Sequence, residues 1–440
     1  MNEYDLVLIN PPMPYLVEPN AQENLGLLYL VSGMRNKGWR VKYLNLNAVP
    51  VDKAIDKLPK AYLYGFTATY LDYPIVKKLS EQLLKLGKYT LLGGAFPSAL
   101  KEKVDLDSFS CVLSGEGDIT LHTILTDLKY DRLKKLYIGE QVEDLDTLKY
   151  PAIEDGFDFG NIFIKGKHYN EGKTTALITS RGCPFNCAFC GSKRIWGRRV
   201  RYRSIPNVLG EIEDRIKKGY MNFRINDDNL THNVKRLTEF CKGLKLLNKK
   251  YETNVCWRVS TRVKPSSVNM WKMMHNSGCV EVSFGIESFD NAVLKGLNKG
   301  NTAEDNMKAI RDTYKAGINA RLLMMINTPS ETKDTAKINI KAIKSLPIIG
   351  ISCKPFVPAL GTDIWDYPEK FGIEDLDTST KDYSKFNFYQ FIKEDGKIKE
   401  NKNTITFKLK GLTLKDMEDN RRMMFDFLKE HNLNAESGIE

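Results

Sequence analysis

The strongest constraint on the fold is a regular alternation of strand and helix patterns that occurs twice along the chain. In the first series, the apolar runs DLVLIN, VKYLNLN, AYLYGFTA, YTLLGG and SCVLSGEG alternate with helical patterns such as PIVKKLSEQLLKLG. Such alternation is typical of βαβ units, in which helices join parallel strands. Residues 1–130 are therefore predicted to form a doubly wound α/β domain of the Rossmann or flavodoxin type.

The second series occupies residues 173–360 and contains the runs TTALITS, MNFRIND, VCWRVS, EVSFGIES, ARLLMMIN and IGISCKPF, with helical patterns between them. Six βα units are too few for a complete eightfold barrel, so they predict a partial (β/α)6 barrel of the TIM type. Residues 131–172 lack a clear period and are interpreted as a linker.

Residues 361–440 are predicted to be a small α+β tail that binds substrate or caps the barrel. Within it, Thr413 and Asp416 have the spacing of a capping box at the start of a helix. The stretch YQFIKEDGKIKENKNTITFKL indicates a β-hairpin. The tail carries no motif from which a substrate could be named.

Composition excludes several classes of protein. No apolar run approaches the roughly 18 residues of a membrane-spanning helix, and the N-terminus has no signal-peptide pattern. Eight cysteines in 440 residues are too few for a secreted disulfide scaffold. We therefore expect a cytoplasmic protein without a membrane partner, in which clustered cysteines indicate metal or redox chemistry. The net charge of +11 permits an acidic partner but does not require one.

Three cysteines, Cys183, Cys187 and Cys190, lie together in SRGCPFNCAFCGS, directly after the predicted strand TTALITS. A structural zinc site uses four protein ligands, and the nearest histidines in sequence, His168 and His232, are distant. A [4Fe–4S] cluster usually takes four thiolates. Three thiolates leave one iron with an open position for a substrate or cofactor, while zinc with a fourth ligand from afar stays an alternative.

The stretch CPFNCAFC fits the pattern CxxxCxΦC, with Phe189 as the aromatic residue Φ, and it resembles the radical S-adenosylmethionine (SAM) superfamily. The resemblance implies that SAM chelates the open iron and that an electron from the cluster cleaves SAM to a 5′-deoxyadenosyl radical. RYRSIPNVLGEIEDRI, GCVEVSFGIES, LNKGNTAEDN and INTPSET resemble further landmarks of one subfamily. In that subfamily a cobalamin-binding domain precedes the barrel, and the resemblance covers roughly residues 1–360.

The resemblance implies a SAM pocket at the ends of the barrel strands. Asp227 and Asp228 would lie beside the amino group of SAM, although an acidic pair at that position could instead complement the dipole of the following helix. Arg262 would hold the carboxylate of SAM through two hydrogen bonds, and Ser260 is a weaker candidate at the same strand end.

Two further positions follow the same pattern. Glu287 would accept hydrogen bonds from the ribose hydroxyls, the alternative being an ordinary surface salt bridge. In INTPSET, Asn327 and Ser330 replace glycines of the family pattern near the adenine. Asn tolerates positive φ better than most residues, so the turn is expected to survive.

The strand-end turns of the first domain suit a ligand site at a topological switch point. None contains GxGxxG, which disfavours a nicotinamide or flavin site. The resemblance instead implies cobalamin contacts from these turns, at Asn10, Pro11, Pro12, Thr67, Ala68, Thr69, Gly93, Gly94, Ala95, Gly115 and Glu116. The first histidine of the chain is His122, beyond the fifth strand, so the cobalt-binding DxHxxG motif is absent. Cobalamin would then be bound base-off, the alternative being a domain that has lost the corrin.

With both cofactors, the resemblance implies a methyltransferase acting on an unactivated carbon or a phosphinate. One SAM would methylate cob(I)alamin, a second would generate the radical that abstracts a substrate hydrogen, and the substrate radical would take the methyl group from methylcobalamin. The partners implied are a small-molecule or peptide substrate and an external electron donor such as flavodoxin or ferredoxin. A cobalamin-dependent or cobalamin-free enzyme that cyclises or rearranges its substrate is the first alternative.

A second alternative is an Fe–S protein that binds nucleic acid through the basic run KRIWGRRVRYR, residues 193–203. The subfamily often carries a basic stretch at this position, which favours a local role. A methylthiotransferase would be expected to have three more clustered cysteines upstream, whereas the first 182 residues contain only Cys111.

Overall fold

A computed structural model describes residues 2–16, 24–153, 163–164, 167–168, 172–376, 391–394, 397–400 and 407–433. The first sheet contains six parallel strands in the order β2-β1-β3-β4-β5-β6. Its strands are β1 Tyr4–Asn10, β2 Val41–Asn45, β3 Ala61–Thr67, β4 Tyr89–Gly93, β5 Cys111–Ser114 and β6 Leu136–Ile138. The helices that cover it are α1 Leu25–Asn36, α2 Tyr73–Lys85, α3 Ala95–Leu100 and α4 Thr120–Lys129.

Both faces of this sheet are buried, which explains why its strands are apolar runs without strict alternation. Leu6 and Leu8 of β1 pack in one cluster with α1 and α4. Val7 and Ile9, on the opposite face of the same strand, pack in another with α2 and α3. The alternation of strand and helix in the sequence therefore correctly predicted a parallel α/β sheet.

The second sheet also contains six parallel strands, in the order β16-β15-β14-β13-β12-β9. Between the two sheets, β7 Phe163–Ile164 pairs with β8 Lys167–His168. The strands of the second sheet are β9 Lys173–Leu177, β12 Tyr220–Ile225, β13 Cys256–Thr261, β14 Cys279–Glu287, β15 Asn319–Ile326 and β16 Gly350–Pro355. Two short strands, β10 Ser180–Arg181 and β11 Arg201–Tyr202, pair with each other outside this sheet. Because β9 and β16 are opposite edges, the six strands form the predicted partial barrel and not a closed one.

Helices pack on the outer face of the second sheet, where Trp257 and Trp271 are fully buried in the largest apolar cluster. The helices of this half of the chain are α5 Ser192–Trp196, α6 Ile205–Lys217, α7 Val234–Tyr251, α8 Val268–His275, α9 Asn291–Gly296, α10 Ala303–Lys315, α11 Thr335–Ile343, α12 Asp363–Asp366 and α13 Leu414–Glu430. The inner face of the sheet is left to line a cavity.

Two predictions for the tail, residues 361–440, are confirmed by the structure. Thr413 and Asp416 form the capping box that starts α13, and β18 Phe391–Glu394 pairs with β19 Lys397–Glu400 as an antiparallel hairpin. The remaining tail strands, β17 Ile373–Glu374 and β20 Lys408–Leu409, also pair. Among the described residues, no helix combines the length and apolar character that a membrane crossing requires.

Two elements of the first domain were missed in the sequence. The strand β6 lies inside the segment interpreted as a linker, because three residues, LYI, are too short to show a period. The helix α3 has the sequence AFPSAL, in which a proline and only six residues give little helical signal.

Candidate active site

The three cysteines lie in the loop between β10 and α5. Ser180 and Arg181 of β10 pair antiparallel with Tyr202 and Arg201 of β11, so the two ends of the loop region are held together. Gly182, next to Cys183, has φ +97°, and a Cβ there would lie 2.5 Å from the Arg199 carbonyl oxygen. Only glycine suits this position, because an L side chain would be strained and would clash with backbone. The backbone is thus fixed immediately before the first cysteine.

The thiols of the loop have the chemistry that an iron–sulfur cluster requires. Cys183, Cys187 and Cys190 are free, with Cys187 buried and the other two half-buried. Burial raises the pKa of the Cys190 thiol to about 11 and also raises that of Cys183. Bound iron would deprotonate such thiols outright, because the charge of a metal ion outweighs burial. In the described part of the chain, no three His, Cys, Asp or Glu side chains converge to hold a single metal ion.

Asp227 anchors the start of the cysteine loop. Its carboxylate accepts hydrogen bonds from the backbone N–H of Thr179 at 2.6 Å and of Ser180 at 3.2 Å, and from their hydroxyl groups at 2.5 and 2.6 Å. The side chain is buried, and these four donors satisfy its charge. The structure therefore places this predicted SAM contact against the loop that carries the cysteines.

Asp228 connects the two ends of the same loop. It accepts from the Gly182 N–H at 3.1 Å and from the Ser192 hydroxyl at 2.6 Å. The alternative role at a helix N-terminus does not fit, because α7 begins at Val234 and is capped by the Asn233 side chain. The carboxylate is exposed and lies at the predicted edge of the barrel.

Arg262 lies directly beside the cysteine loop, at the end of β13. Its Nη1 donates to Cys187 Sγ at 2.9 Å, and its Nη2 donates to the Lys299 carbonyl. The guanidinium also stacks over the Phe185 ring, 4.0 Å from the ring centroid. A cation at this position stabilises a thiolate or an anionic ligand at the cluster.

Glu287 forms the opposite wall of the site, at the end of β14. Its Oε1 accepts from Lys299 Nζ at 2.6 Å, and this ammonium lies 5.5 Å from the ring centroid of Phe189. Both members of the ion pair are buried, so it is not the surface salt bridge considered as an alternative. Glu287 adopts φ +62°, which is strained for a residue with a side chain and occurs most often at functional sites.

The turn after β15 has the backbone conformation expected from its sequence. Asn327 has φ +64° and Ser330 has φ +67°, so both non-glycine residues occupy the left-handed region. The buried Oδ1 of Asn327 finds no hydrogen-bond partner among the described residues. An unsatisfied buried acceptor beside a predicted nucleotide site fits a ligand that donates a hydrogen bond.

A cavity of about 430 Å³ occupies the concave inner face of the second sheet. Ser260 and Glu287, two of the predicted SAM contacts, both contribute to its wall. One lining residue, Tyr70, comes from the turn after β3 of the first sheet. The carboxyl edge of the first sheet therefore faces the mouth of the barrel.

The predicted cobalamin contacts lie in four turns along that carboxyl edge. Asn10 and Thr67 end the neighbouring strands β1 and β3, which form the switch point for this strand order. Asn10 is buried and accepts from Asn24 Nδ2 at 3.2 Å. Pro11 and Pro12, which follow it, are also buried.

The turns after β3 and β4 pack tightly against each other. A Cβ at Gly94, whose φ is +97°, would lie 2.5 Å from Thr67 Oγ1 and 2.9 Å from the Ala68 nitrogen. Thr69 donates its backbone N–H and its hydroxyl to the buried Asp72, at 3.1 and 2.7 Å. Gly93 ends β4, and the exposed Ala95 begins α3. The edge is thus preformed at the point where a ligand would bind.

The turn after β5 connects the first sheet to the two short strands, β10 and β11, that flank the cysteine loop. Glu116 is buried and accepts from Arg181 Nη1 at 2.8 Å, from Arg201 Nη2 and from the Val142 N–H at 3.3 Å. Arg181 also pairs with Asp118 at 2.8 Å. The carboxylate of this predicted cobalamin contact is therefore engaged with arginines on both sides of the cysteine loop, while a Cβ at Gly115 would lie 3.2 Å from the Gly139 carbonyl oxygen.

The basic run of residues 193–203 makes contacts within the chain. Besides Arg201, Arg203 pairs with the buried Glu211 at 2.6 Å, and Lys193 pairs with Asp363 at 2.5 Å. The other three cations bond to Asp366, to the Pro184 carbonyl and to Glu143. These contacts support the local structural role and not a nucleic-acid surface.

Sequence reasoning missed several residues of the site. Lys299 lies in LNKGNTAEDN, a run noted in the sequence without a role for any single residue. Arg181 immediately precedes GCPFNC. Its position two residues before the first cysteine could have indicated that it belongs to the site. Tyr70 lies in the turn FTATYLDYP, but its projection into the barrel depends on how the two sheets are placed.

Comparison with known proteins gives the family. Residues 177–341 match the family model described as Radical SAM superfamily. An uncharacterized methyltransferase of Pyrococcus horikoshii is 27% identical over 409 residues, which cover 83% of each chain. The bacteriochlorophyllide d C-8(2)-methyltransferase of Chlorobaculum tepidum is 26% identical, with 76% of this chain and 73% of the relative covered.

The solved structure of the radical SAM methyltransferase TsrM of Kitasatospora setae, with cobalamin and a [4Fe–4S] cluster bound, shares the fold. It superposes with a TM-score of 0.65 at 16% identity, over 85% of this chain and 80% of TsrM. The cysteine loop and most residues of the cavity wall lie within the segment that matches the family model. The chain therefore contains a radical SAM domain, at residues 177–341.

Proposed function

We propose that the chain is a cobalamin-dependent radical SAM enzyme that methylates an unactivated carbon atom, or a phosphinate phosphorus, of an organic substrate. The observation that carries the proposal is the meeting of the two sheets. Tyr70 from the first sheet lines the cavity of the second, and Glu116 bonds to Arg181, two residues before Cys183. Chemistry that involves two cofactors needs both of them to reach one cavity, and this arrangement provides it.

The proposal gives a role to each of three parts of the chain. Cys183, Cys187 and Cys190 would hold a [4Fe–4S] cluster, the carboxyl edge of the first sheet would hold cobalamin, and residues 361–440 would cap the barrel or contact substrate. When bound, the cluster, SAM and cobalamin together supply reductive cleavage of SAM and a transferable methyl group. His122 accepts from Trp39 Nε1 at 2.9 Å, so the proposed cobalamin site does not use it for cobalt.

The residues of the chain bind, orient and exclude water. Arg262 would exchange its contact with Cys187 for the carboxylate of SAM, since a guanidinium can bind a carboxylate through two hydrogen bonds. Glu287, held by Lys299, would accept from the ribose hydroxyls, and Asn327 would accept from the adenine. Asp227 and Asp228 keep the cysteine loop in place beneath these contacts.

The partners on this proposal are a small-molecule or peptide substrate and an external reductant such as flavodoxin or ferredoxin. Reductive cleavage of SAM consumes one electron, which such a donor would supply to the cluster. Nucleic acid is disfavoured by the internal pairing of the basic run.

The test is anaerobic purification with iron, sulfide and hydroxocobalamin, followed by iron and cobalt analysis and a visible spectrum. We expect about four irons and one cobalt per chain, with corrin bands. The reduced protein should then convert SAM to 5′-deoxyadenosine. Methyl transfer is followed with SAM labelled in its methyl group, since the label would appear in the product.

A matched pair of variants separates the cluster from general damage to the fold. Cys187→Ala should lose the iron and the formation of 5′-deoxyadenosine, whereas Cys256→Ala, a buried cysteine on β13 outside the loop, should keep both. Iron without cobalt would retain the radical SAM assignment and overturn the cobalamin assignment. Failure of the intact chain to retain iron would overturn the proposal as a whole.

A further inference from the structure

The loop between α9 and α10 contacts both the cysteine loop and the end of β14. We call its residues 297–301, with the sequence LNKGN, the brace. Two of them have positive φ, Asn298 at +52° and Gly300 at +74°. Asparagine and glycine are the residues that adopt this left-handed conformation most readily. The sequence of the brace therefore suits the tight double turn that its backbone makes.

At one end, the brace holds the cysteine loop on both sides of Cys187. The Leu297 carbonyl accepts from the Ala188 N–H at 2.9 Å. Asn298 Nδ2 donates to the Asn186 carbonyl at 2.8 Å. Cys187 is also the one buried thiol of the three in the loop. These two hydrogen bonds fix the backbone that positions it.

At its other end, the brace is tied to the backbone on both sides of Glu287. Asn301 Nδ2 donates to Asn306 Oδ1 at 2.6 Å. Asn306 Nδ2 in turn donates to the Ser288 carbonyl at 3.0 Å and to the Ile286 carbonyl at 3.4 Å. Both asparagines are buried, and buried hydrogen bonds are costly to break. The brace and the end of β14 therefore form one unit.

Lys299, in the middle of the brace, contacts three groups of the site. Its Nζ donates to Glu287 at 2.6 Å and lies 5.5 Å from the ring centroid of Phe189. Its carbonyl accepts from Arg262, whose Nη1 donates to Cys187 Sγ at 2.9 Å. The lysine side chain is only 5% exposed, so it has little room to move independently. A shift of Glu287 would therefore move Lys299 against the cysteine loop.

We propose that Lys299 is a positioning residue that couples occupation of the ribose site at Glu287 to the retention of iron by the cysteine loop. This inference rests on the proposed function for the cluster and for the ribose contact. A ribose hydroxyl bonded to Glu287 restricts the Glu287–Lys299 pair, and the brace transmits this restriction to the backbone around Cys187. Coupling between two sites is reciprocal, so a bound cluster raises the affinity for the ribose by the same factor.

The experiment uses 5′-deoxyadenosine, which has the ribose hydroxyls but lacks the amino and carboxylate groups of SAM. An effect of this nucleoside on the cluster therefore cannot come from chelation of iron by those groups. Equilibrium dialysis against the anaerobically reconstituted full chain gives its dissociation constant. The rate of iron loss to a chelator is then measured without nucleoside and at saturation.

We expect saturation with 5′-deoxyadenosine to slow iron loss about fivefold or more, as is usual for coupled sites. This slowing is called protection below. The matched ligand is 2′,5′-dideoxyadenosine, which lacks one ribose hydroxyl. It should give less protection at its own saturating concentration, because Glu287 then has fewer hydroxyl donors to bind.

Two lysine variants form a matched pair. Lys299→Met should still incorporate iron, but its protection should fall below about twofold, outside the usual range for coupled sites. Lys295→Met replaces an exposed lysine near the end of α9 and should keep the full protection. Each ratio compares one variant with and without nucleoside, so a general loss of stability does not alter it.

The double variant Glu287→Gln/Lys299→Met removes both charges of the pair, so neither is left buried without its partner. It should incorporate iron and still lack protection. Recovery of protection in this variant would show that charge balance, and not the lysine, connects the two sites. That result would overturn the inference.

Protection that persists in Lys299→Met overturns the inference too. A wild-type chain that fails to bind the nucleoside, or binds it without protection, does the same. Cobalt content and SAM cleavage report on the proposed function separately. SAM cleavage without protection contradicts only the coupling, whereas protection in a chain without cobalt contradicts the cobalamin assignment and leaves the coupling standing. A chain that retains no iron overturns both.

Discussion

Glu116→Gln is the perturbation that most directly tests how the first sheet is held to the strands that flank the cysteine loop. The carboxylate balances Arg181 and Arg201, and all three side chains are at most 5% exposed. With Asp118, the network contains two positive and two negative charges. The amide keeps the shape of the side chain, but it leaves one arginine without a counter-charge, and Arg201 is the more affected because Arg181 keeps Asp118.

Removal of one partner from a buried ion pair costs about 3–5 kcal/mol, since the remaining charge stays desolvated. We expect the lower end of this range, about 3 kcal/mol, because Arg201 retains a hydrogen bond to the Val142 carbonyl at 2.7 Å. Urea unfolding of the reduced protein measures the change as a shift in midpoint at constant slope. Iron retention should fall in parallel, because Arg181 lies two residues before Cys183.

The matched control is Asp5→Asn, which breaks a pair with Arg40 whose side chain is 55% exposed. Solvent screens that pair, so its midpoint should hardly move. The double variant Glu116→Gln/Arg201→Gln removes one charge of each sign and should recover part of the loss. If Glu116→Gln shifts the midpoint no more than Asp5→Asn, the argument from burial is wrong.

Three further predictions concern the site and the core. Gly182→Ala should abolish iron retention, because its Cβ would lie 2.5 Å from the Arg199 carbonyl oxygen, whereas Gly191→Ala in the same loop has no atom within 4 Å and should be tolerated; equal iron contents would contradict this. Asp227→Asn should also lose iron, because its amide turns a donor toward the hydroxyl and N–H donors of Thr179 and Ser180, and Asp214→Asn on the surface of α6 serves as control. Burial raises the pKa of Glu331 from 4.5 to about 7, so the native carboxyl keeps a proton that the unfolded chain releases, and stability falls as pH rises through this window. In Glu331→Gln the free energy of unfolding should no longer fall with pH in this window, and above pH 7 it should exceed that of the wild type by roughly 3 kcal/mol. If urea unfolding gives the same pH dependence for variant and wild type, the carboxyl does not titrate in this range.

The parallel sheets could be predicted because buried strands are continuous apolar runs. Each of the eleven runs identified in the sequence corresponds to a strand of one of the two sheets. The elements that escaped are those whose stability comes from their neighbours. The strand β6 has three residues and is fixed by pairing with β5, and α3 has six residues held at the domain interface, where Ala99 packs on Gly361.

The candidate site was predictable where a residue stands in a local motif. The cysteines, and the strand-end residues Arg262 and Glu287, could be assigned to one site because parallel strands end at one edge. The cations of the cavity could not be found in this way. Arg224 and Arg258 lie within MNFRIND and VCWRVS, where each is a single charge in an apolar run, and only strand register shows that they are neighbours.

The acidic residues of the site show why a resemblance identifies positions more reliably than roles. Asp227 and Glu116 were both predicted as cofactor contacts, and both carboxylates are fully engaged with donors of the chain itself. A buried carboxylate must be satisfied whether or not a ligand is present, so the fold supplies partners before any cofactor binds. Variants at these positions would lose activity because the cysteine loop would be displaced, even if neither residue contacted a cofactor. A role in cofactor binding therefore needs a readout at the cofactor, such as the spectrum of the cluster with SAM bound, in a variant that still retains its iron.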